Sequence, residues 1–518
     1  MTGTEVLIIG SGIAGATAAL ELARKGVEVT LVTKAKDPKE TNTNYAQGGI
    51  IYKSEDDYPE LLASDIEKAG SYLSNPEAAR ILSIEGPKLV KRILIDRLKV
   101  PFDREEDEEL SLAREGGHDR PRIIHWADAT GRAIQTSLSE AVANEPKIKM
   151  LTSHTAVDLL TPQHNSTDKL SVYDPLSVVG AYVFNQQTGE VDKILAKKTI
   201  LATGGLGQIY EYSTNPKGAR GDGIAMASRV GARMANLEYI QFHPTAFYHP
   251  DAPRFLVTEA VRGDGGRLVN GNDEFFMDKY DPDRKELAPR DVVARAIYSE
   301  MQRLGETNMY LDLKNFIPKA RILHHFPNIY EFCLQYKVDI TKDLVPIVPA
   351  AHYSCGGVWV DQYGRTTVDN LYAIGEVSCT GLHGANRLAS TSLLEGLVWG
   401  ERSARDINKK LAKTSLYDSD KILDWQYSDE TENPSANSYL EKVKQIMWNN
   451  VGLVRNTKGL EDAMRSLTEI QGEFTHLYQH TRLTDEVIGV RNMIQTALLV
   501  TAAASENRES LGCHFRDF

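Results

Sequence analysis

A strand, a glycine-rich turn and a helix open the chain, and no other segment constrains the fold as strongly. An apolar run of strand length spans Val6 to Ile9, a helical pattern follows the turn to about Arg24, and a second strand pattern ends at Val32. The turn itself reads Gly10-Ser11-Gly12-Ile13-Ala14-Gly15. In a βαβ unit of this spacing the first glycine makes the tight turn, the second lets the backbone approach a pyrophosphate, and the third packs the helix against the strand. The segment predicts an α/β fold with a Rossmann-like dinucleotide-binding domain.

One position departs from the usual dinucleotide-binding motif. The second strand of such a unit normally ends in an acidic residue that binds a ribose hydroxyl. This chain has Thr33 and Lys34 at that place instead. Lys34 suits either a ribose hydroxyl or a phosphate, so the motif alone leaves NADP open as a ligand. A glycine turn that binds no ligand is the structural alternative.

Composition narrows the class of protein. The net charge of −12 opposes nucleic-acid binding, which needs a basic surface. No apolar run approaches the ~20 residues of a membrane span, and the first strand begins without a signal-peptide pattern. The four cysteines lack the spacing of zinc or iron–sulfur ligands. We therefore expect a cytoplasmic protein with no metal, no membrane and no nucleic-acid partner.

The sequence pattern changes several times along the chain. Strand patterns run through 148–201 and return at 356–360 and 371–374, which we assign to the dinucleotide-binding sheet. Residues 237–350 contain short mixed elements with many prolines, glycines and charges, and helical periodicity dominates from 438 onward. These changes predict an inserted domain and a separate helical domain.

The predicted domain boundaries follow from these changes. We expect a dinucleotide-binding domain formed by residues 1–236 and 352–415, an inserted α+β capping domain over 237–351, and a C-terminal helical domain over 416–518. The acidic run 103–109 is predicted to be a solvated loop. The polar segment 412–437 is predicted to be a linker.

A second glycine-rich turn lies within residues 375–395. After Gly375 and Glu376 the chain reads His383-Gly384-Ala385-Asn386-Arg387-Leu388, and a helical pattern then starts near Ser390. A histidine and an arginine beside a helix N-terminus collect positive potential for an anionic ligand. For the serines a plain helix cap is an equally valid interpretation.

Four segments resemble the flavoprotein family of the succinate dehydrogenases and fumarate reductases. They span residues 41–50, 202–205, 221–223 and 375–395. The resemblance implies FAD. The carbonyl end of the flavin ring would lie at the N-terminus of the helix that starts near Ser390, where the negative charge of a reduced flavin is stabilised. The cofactor-binding residues that it implies are Gly10, Ser11, Gly12, Ile13, Ala14, Gly15, Lys34, Asn42, Thr43, Asn44, Tyr45, Ala46, Gln47, Gly48, Gly49, Asp222, Glu376, Ser392 and Leu393.

The mode of FAD attachment follows from one residue. Some members of the family carry a histidine in the loop around residue 42 that bonds covalently to FAD. This chain has Asn42 there and no histidine nearby. The resemblance therefore implies noncovalent FAD.

The resemblance also implies a dicarboxylate site. His352 and Arg387 would bind one carboxylate, and His243 and Thr258 would bind the other, through charge-assisted hydrogen bonds. The catalytic residues that it implies are Arg290, with Glu259 and Arg262 as a proton relay. Each residue alone has a structural alternative, such as a satisfied interior histidine or a surface ion pair.

Glu115 discriminates among the substrates of the family. An extra carboxylate is unfavourable beside a bare dicarboxylate but useful for a substrate that carries an ammonium group. Glu115, with residues 125–131 and 348–353, resembles the members that oxidise L-aspartate to iminoaspartate, with O2 (giving H2O2) or fumarate as electron acceptor. In the family this is the first step of de novo NAD biosynthesis, and quinolinate synthase, the next enzyme, is a possible recipient of the product.

Three alternatives to this interpretation stay open at the level of sequence. Glu115 could be a solvated residue in a mobile Gly-Gly loop. The protein could be a soluble fumarate reductase or a succinate dehydrogenase flavoprotein. It could also be a flavin- or NADP-binding sensor without catalysis, an idea that Lys34 supports but that leaves the histidines and arginines without a role. His383 has no firm assignment and is expected to be a structural residue or one that supports the site without touching a ligand.

Overall fold

The central sheet is parallel at its core and carries the N-terminal βαβ unit. The computed structural model describes residues 2–253, 255–427 and 436–517. The strands follow one another across the sheet in the order Ile148–Leu151, Val29–Val32, Thr2–Ile9, Val191–Leu201, Gly180–Asn185 and His154–Leu160. The long strand Val191–Leu201 pairs antiparallel with Gly180–Asn185 over its first half and parallel with Leu371–Ala373 over its last residues. The predicted α/β fold is confirmed.

The helix that follows the glycine turn packs closely against a second helix of the central domain. Ile13–Ala23 lies against Thr391–Lys410, and a side chain at Gly400 would place its Cβ 2.8 Å from the carbonyl oxygen of Ala14. Only glycine permits so close an approach of two backbones. This contact holds the first half of the helix Thr391–Lys410 against the helix that follows the glycine turn, although the two lie far apart in sequence.

An antiparallel sheet forms the core of the inserted region. Its strands follow the order Phe255–Leu256, Ile240–Phe247, Val345–Ser354, Met309–Asp312 and Arg267–Val269. The strand Ile240–Phe247 is buried along its whole length because the sheet is covered on both faces. The helices of this region are Glu259–Gly263, Met277–Tyr280, Arg290–Leu304, Lys319–His325 and Pro327–Gln335.

The helical domain is built on Ala436–Val451, Thr457–Gln479 and Asp485–Glu506. By length and composition Asp485–Glu506 is apolar enough to cross a membrane, which differs from our expectation that no run approaches that length. Its apolar side chains are mostly buried in the protein, where they pack against the other two helices and against Asp222–Arg229. A long apolar helix is therefore the core of this domain.

Small sheets and short helices complete the described structure. The small sheets pair Ile50–Ile51 and Leu112–Ala113 with Ile123–Ile124, and Met234–Ala235 and Ser378–Cys379 with Gly357–Trp359. Our assignment of 356–360 to the central sheet is therefore wrong, whereas 371–373 does join it. The remaining α-helices are Pro59–Ala69, Pro76–Leu89, Thr130–Ala143 and Pro162–Asn165, with a π-helix at Val90–Arg97. The 3₁₀ turns are Lys169–Tyr173, Gly207–Ile209, Lys285–Leu287, Gly375–Val377, Leu411–Lys413 and Ser419–Lys421.

Two smaller predictions concern irregular segments. Residues 104–109 are exposed around a turn, so the acidic run is a solvated loop as predicted. The predicted linker 412–437 is irregular with two short 3₁₀ turns up to residue 427, and its residues 428–435 lie outside the described residues. Its last two residues already belong to the helix Ala436–Val451, so the predicted end is too late. The exact domain boundaries remain a prediction.

Candidate active site

The glycine turn shows which of its glycines the packing requires. Gly10 has a φ of +117°, and a Cβ there would lie 2.1 Å from the carbonyl oxygen of Ala202. A Cβ at Gly15 would lie 2.0 Å from the carbonyl oxygen of Gly10. At Gly12 the nearest atom would be Thr43 Oγ1 at 3.4 Å, an ordinary contact. Neighbouring atoms therefore require glycine at 10 and 15, whereas the glycine at 12 leaves space beside the helix N-terminus.

The loop 41–49 connects this turn to the second glycine-rich segment. Thr43 Oγ1 accepts a hydrogen bond from the backbone N–H of Ile13 at 3.1 Å, and Asn42 Nδ2 donates to Glu376 Oε2 at 2.8 Å. At its other end Gly48 lies against Glu115, because a Cβ on that glycine would be 2.5 Å from Glu115 Oε1. The loop therefore runs from the predicted cofactor groove to the predicted substrate site.

Glu376 lies where these segments meet. Its Oε1 accepts from the backbone N–H of Ser354 at 3.1 Å, in addition to the contact with Asn42. Burial raises the pKa of Glu376 to about 7, against the opposing effect of these two hydrogen bonds. Near neutral pH this carboxyl group is therefore present in both protonation states.

The groove beside the glycine turn has features that suit a bound dinucleotide. Two of the segments implied by the family resemblance carry buried side-chain oxygens that lack a hydrogen-bond partner in the described part of the chain, namely Gln47 Oε1 and Thr203 Oγ1. Such oxygens are costly unless a ligand or water satisfies them. Together with the space at Gly12, they make this groove suitable for FAD. Tyr45 differs, because it is 45% exposed and donates its hydroxyl proton to Glu40.

Lys34 and Asp222, both predicted to contact the cofactor, form an ion pair with each other. Lys34 Nζ donates to the Asp222 carboxylate and to the carbonyl of Gly218. Asn492 Nδ2 donates to Asp222 Oδ1 at 2.9 Å, and Arg220 lies 3.3 Å from its other oxygen. Burial opposes ionisation, but the charges of Arg220 and Lys34 hold the pKa of Asp222 well below its usual range. Sequence reasoning missed this link to the helical domain, and contact of either residue with the cofactor remains a prediction.

A β-bulge brings the two predicted substrate histidines together. Gln241 pairs with Tyr353 while Phe242 pairs with Ala351, so His352 is the extra residue of its strand. Bulges commonly redirect a side chain beside an active site. The ring centroids of His243 and His352 lie 5.2 Å apart.

Both histidines are neutral at physiological pH. Burial, the charge of Arg290 and the proximity of His352 hold the pKa of His243 well below its usual range, and burial with the charge of Arg387 does the same for His352. His243 Nδ1 accepts the backbone N–H of Thr245 at 3.2 Å. The neutral ring of His243 then carries its proton on Nε2, where it is available to a ligand carboxylate.

The predicted arginines approach this pair from different elements. Arg387 is 5% exposed, its guanidinium lies 4.6 Å from the centroid of the Tyr353 ring, and its NH1 is 3.3 Å from Ser392 Oγ. Arg290 starts the helix Arg290–Leu304 and donates its Nε proton to Glu259 Oε2 at 2.7 Å. The start of the helix Thr391–Lys410 therefore has a cation, Arg387, beside it, as the sequence pattern predicts.

Gln241 joins the segments that carry these two arginines, and sequence reasoning gave it no role. Its Nε2 donates to the carbonyl of Arg387 at 2.9 Å and to Asn386 Oδ1 at 2.7 Å, and its Oε1 is 3.5 Å from Arg290 NH1. Gln241 and His243 are two residues apart on one strand and therefore share a face. That spacing was the signal available in the sequence.

The predicted relay residues are in contact. Arg262 is 2% exposed, its NH2 lies 3.9 Å from Glu259 Oε2, and its NH1 donates to the carbonyl of Glu286. Burial disfavours the charge of Glu259, but Arg290 and Arg262 outweigh this effect and lower its pKa to about 2. Thr258 precedes these residues as the helix cap and is 7% exposed.

The loop that carries Glu115 is packed against this cluster. Ser390 Oγ donates to Glu115 Oε2 at 2.7 Å, and a Cβ at Gly116 would lie 2.0 Å from Glu259 Oε1. His118, three residues on, is 2% exposed and its Nε2 is 3.0 Å from the carbonyl oxygen of Ala389. Glu115 is thus half-buried and held by Ser390, while its neighbour Gly116 lies against Glu259. A freely solvated residue does not describe Glu115.

Two known protein families match most of the chain. The family described as FAD binding domain matches residues 5–393, and the one described as fumarate reductase flavoprotein C-term matches residues 440–517. The chain is 45% identical to an L-aspartate oxidase of Yersinia pestis, with 99% of this chain and 95% of that protein covered. It is 41% identical to a chloroplastic L-aspartate oxidase of Arabidopsis thaliana, with 98% and 80% covered.

Solved structures show the same architecture. The quinol fumarate reductase flavoprotein of E. coli superimposes with a TM-score of 0.89 at 26% identity, covering 100% of this chain and 92% of that one. Sdh1 of Mycobacterium smegmatis gives a TM-score of 0.83 at 30% identity, covering 99% and 89%. The order of the domains along the chain is therefore shared with these flavoproteins.

Proposed function

The chain belongs to the L-aspartate oxidases within the flavoprotein family of succinate dehydrogenase and fumarate reductase, and on that premise we propose that it oxidises L-aspartate to iminoaspartate with noncovalent FAD. The observation that carries the proposal is the convergence of His243, His352, Arg290 and Arg387 around one site, with Glu115 beside it. A small dianion needs cations or donors for both carboxylates, and an amino acid needs one acceptor more.

Each side chain has a defined task in this proposal. His352 and Arg387 bind one carboxylate, and His243 with Thr258 binds the other. Glu115 accepts a hydrogen bond from the substrate ammonium. The glycine turn, the loop 41–49 and the start of the helix Thr391–Lys410 would hold FAD, which would supply the hydride acceptor. The final electron acceptor would be O2, giving H2O2, or fumarate.

Arg290 handles protons rather than binding carboxylates. Its charge is already compensated by Glu259, which in turn lies near Arg262. By the family resemblance, Arg290 holds the proton that is delivered to a substrate carbon when fumarate is reduced, and Glu259 and Arg262 form the relay behind it.

The product defines the wider role. An imine of aspartate hydrolyses in water, so an enzyme that consumes it must act promptly. We propose that the protein works in the cytoplasm at the first step of NAD biosynthesis and passes iminoaspartate to quinolinate synthase. Labelled iminoaspartate that reaches quinolinate in a coupled assay, without equilibrating with added oxaloacetate, would support the hand-off, and full equilibration would contradict it.

A second candidate function is that of a soluble fumarate reductase or succinate dehydrogenase flavoprotein, which the structural similarity to the E. coli enzyme favours. Anaerobic mixing with two substrates distinguishes the two functions. The purified protein with its flavin is mixed with L-aspartate and, separately, with succinate, while flavin absorbance is followed. L-Aspartate is expected to bleach the flavin and succinate is not. Bleaching by succinate alone would replace the proposed activity with the second candidate. A flavin spectrum with no bleaching by either would favour a sensor without catalysis.

A further inference from the structure

A buried polar cluster lies next to the guanidinium of Arg387, outside the residues assigned above to substrate and cofactor. Its members are Tyr353, Thr380, His383 and Glu395. The face of the Tyr353 ring contacts the guanidinium, with 4.6 Å between the guanidinium carbon and the ring centroid. The cluster is closed to solvent, since Glu395 is 1% exposed and His383 is 4% exposed.

Glu395 is the centre of this cluster. The Tyr353 hydroxyl donates to its Oε2 at 2.9 Å, and the Thr380 hydroxyl donates to its Oε1 at 2.6 Å. His383 Nε2 lies 3.0 Å from Oε2 and 3.2 Å from the Tyr353 hydroxyl. Both carboxylate oxygens are satisfied, and a fully connected buried network of this kind fixes the positions of its members.

The two acidic groups of the cluster, Glu395 and Tyr353, have pKa values shifted in opposite directions. Burial opposes the charge of Glu395, but His383 and the donated hydrogen bonds lower its pKa. Burial and the charges of Glu395 and Glu376 raise the pKa of Tyr353 well above its usual range. Tyr353 therefore stays a phenol that donates its proton to a carboxylate.

This hydrogen bond sets the orientation of the Tyr353 ring and, through it, the support of Arg387. A cation over an aromatic face is stabilised by the ring, and the effect grows in an enclosed site. Tyr353 also follows His352 directly on the strand, so the same contact fixes both residues that are proposed to hold one carboxylate.

We infer that Glu395, His383 and Tyr353 are positioning residues that hold Arg387 and His352 in the geometry needed to bind one substrate carboxylate. The inference rests on the proposed function, because it assigns these residues to the carboxylate site of that function. It also gives His383, which the sequence left without a role, a place in the site. None of the three needs to touch the substrate.

Glu395→Gln tests the inference because the amide keeps the shape of the side chain and removes its charge. We expect about tenfold weaker binding of succinate, measured anaerobically by calorimetry, and about a tenfold higher KM for L-aspartate with kcat within about twofold. Tyr353→Phe keeps the ring and should lose about threefold in succinate affinity, whereas Tyr353→Leu removes it and should lose about tenfold. The recovery from Leu to Phe distinguishes ring support from general damage.

Asp406→Asn is the matched control. Asp406 lies on the same helix as Glu395, is also buried, and accepts a hydrogen bond from the hydroxyl of Tyr372 at 2.8 Å. We expect this variant to lower the melting temperature without weakening succinate binding. Unchanged succinate affinity in Glu395→Gln, or an equal loss in Asp406→Asn, would overturn the inference. If the unaltered protein binds neither succinate nor L-aspartate, the proposed function itself fails.

Discussion

Two arginines reach the candidate site from distant parts of the chain, and their charges are compensated in different ways. Arg290 has a direct ion pair, with its Nε 2.7 Å from Glu259 Oε2. Within the described residues Arg387 has no such pair and rests on the ring of Tyr353. Because an uncompensated buried charge is costly, Arg387 gains more from a ligand carboxylate than Arg290 does. This difference supports the proposed division of roles, in which Arg387 binds an anion and Arg290 handles protons.

The carboxyl groups nearby show the same contrast. Glu259 lies between two arginines and its pKa falls to about 2, although burial opposes its charge. Among the described residues, Glu376 receives hydrogen bonds from two neutral donors, Asn42 and the Ser354 backbone, and burial raises its pKa to about 7. The charge of Glu259 is thus neutralised by neighbouring arginines, whereas Glu376 has no such ion-pair partner among the described residues and lies where a ligand would bind.

The largest effect that tests this comparison is expected from Arg290→Leu. We expect the rate of fumarate reduction to fall at least about 10³-fold, because general acid–base catalysis contributes on that scale. FAD content and the affinity for succinate should change by no more than about threefold, since the ground-state contacts remain. Steady-state kinetics and calorimetry make the measurement. Arg295→Leu, on the same helix but paired with Asp291, should keep its turnover, and retained activity in Arg290→Leu would exclude the proton-handling role.

Arg387→Leu should instead act on binding. We expect the dissociation constant of succinate to rise about 100-fold, because a buried charge-assisted contact is lost. Anaerobic calorimetry measures it directly. Arg402→Leu is the control, since Arg402 is buried on the adjoining helix and pairs with Glu85, away from the site. If Arg290→Leu and Arg387→Leu weakened succinate binding equally, the two arginines would not differ in the way proposed.

A smaller effect is expected from Glu115→Gln, which concerns only the ammonium of the substrate. The value of kcat/KM for L-aspartate should fall about tenfold, because one hydrogen bond to a charged group is weakened. Fumarate reduction should change by less than about twofold, since fumarate has no ammonium for Glu115 to bind. Glu109→Gln, in the exposed acidic loop, provides the comparison variant. Equal losses for both substrates would show that Glu115 has no amine-specific role.

The sequence was sufficient for the motifs but not for the contacts between them. The glycine spacing predicted the turn at Gly10 and the packing at Gly15, because local geometry demands glycine there. The family resemblance supplied the histidines and arginines. Neither could reveal the bulge at His352, since register depends on how two distant strands pair.

The same limit applies to the residues that support the site. Gln241 binds the backbone of Arg387, which follows it by 146 positions, and Lys34 pairs with Asp222 rather than standing free. The apolar helix Asp485–Glu506 looked unremarkable in sequence, and only the packing of the helical domain explains its composition. Such features depend on long-range packing, which no local pattern encodes.

The smallest predicted effect is a difference between Glu376 and Glu259 in how the free energy of unfolding depends on pH. The pKa of Glu376 rises from 4.5 to about 7 on folding, so the native state binds a proton more tightly than the unfolded chain, and stability falls as pH rises through that window. Glu376→Gln removes this titration and should raise the free energy of unfolding by about 1 to 2 kcal/mol at pH 8, with little change at pH 4.5. Urea unfolding of the FAD-free protein at both pH values provides the measurement.

Glu259→Gln should shift stability in the opposite direction at pH 8. The pKa of Glu259 is lowered from 4.5 to about 2, so its ionised form stabilises the fold above the unfolded pKa and that contribution is lost as pH falls towards 2. The amide leaves Arg290 and Arg262 without a buried anion, and the free energy of unfolding should fall. If both variants lowered stability at pH 8, hydrogen bonding rather than burial would control Glu376. The proposed difference between Glu259 and Glu376 would then be wrong. The difference between Arg290 and Arg387 would still be tested by their own variants.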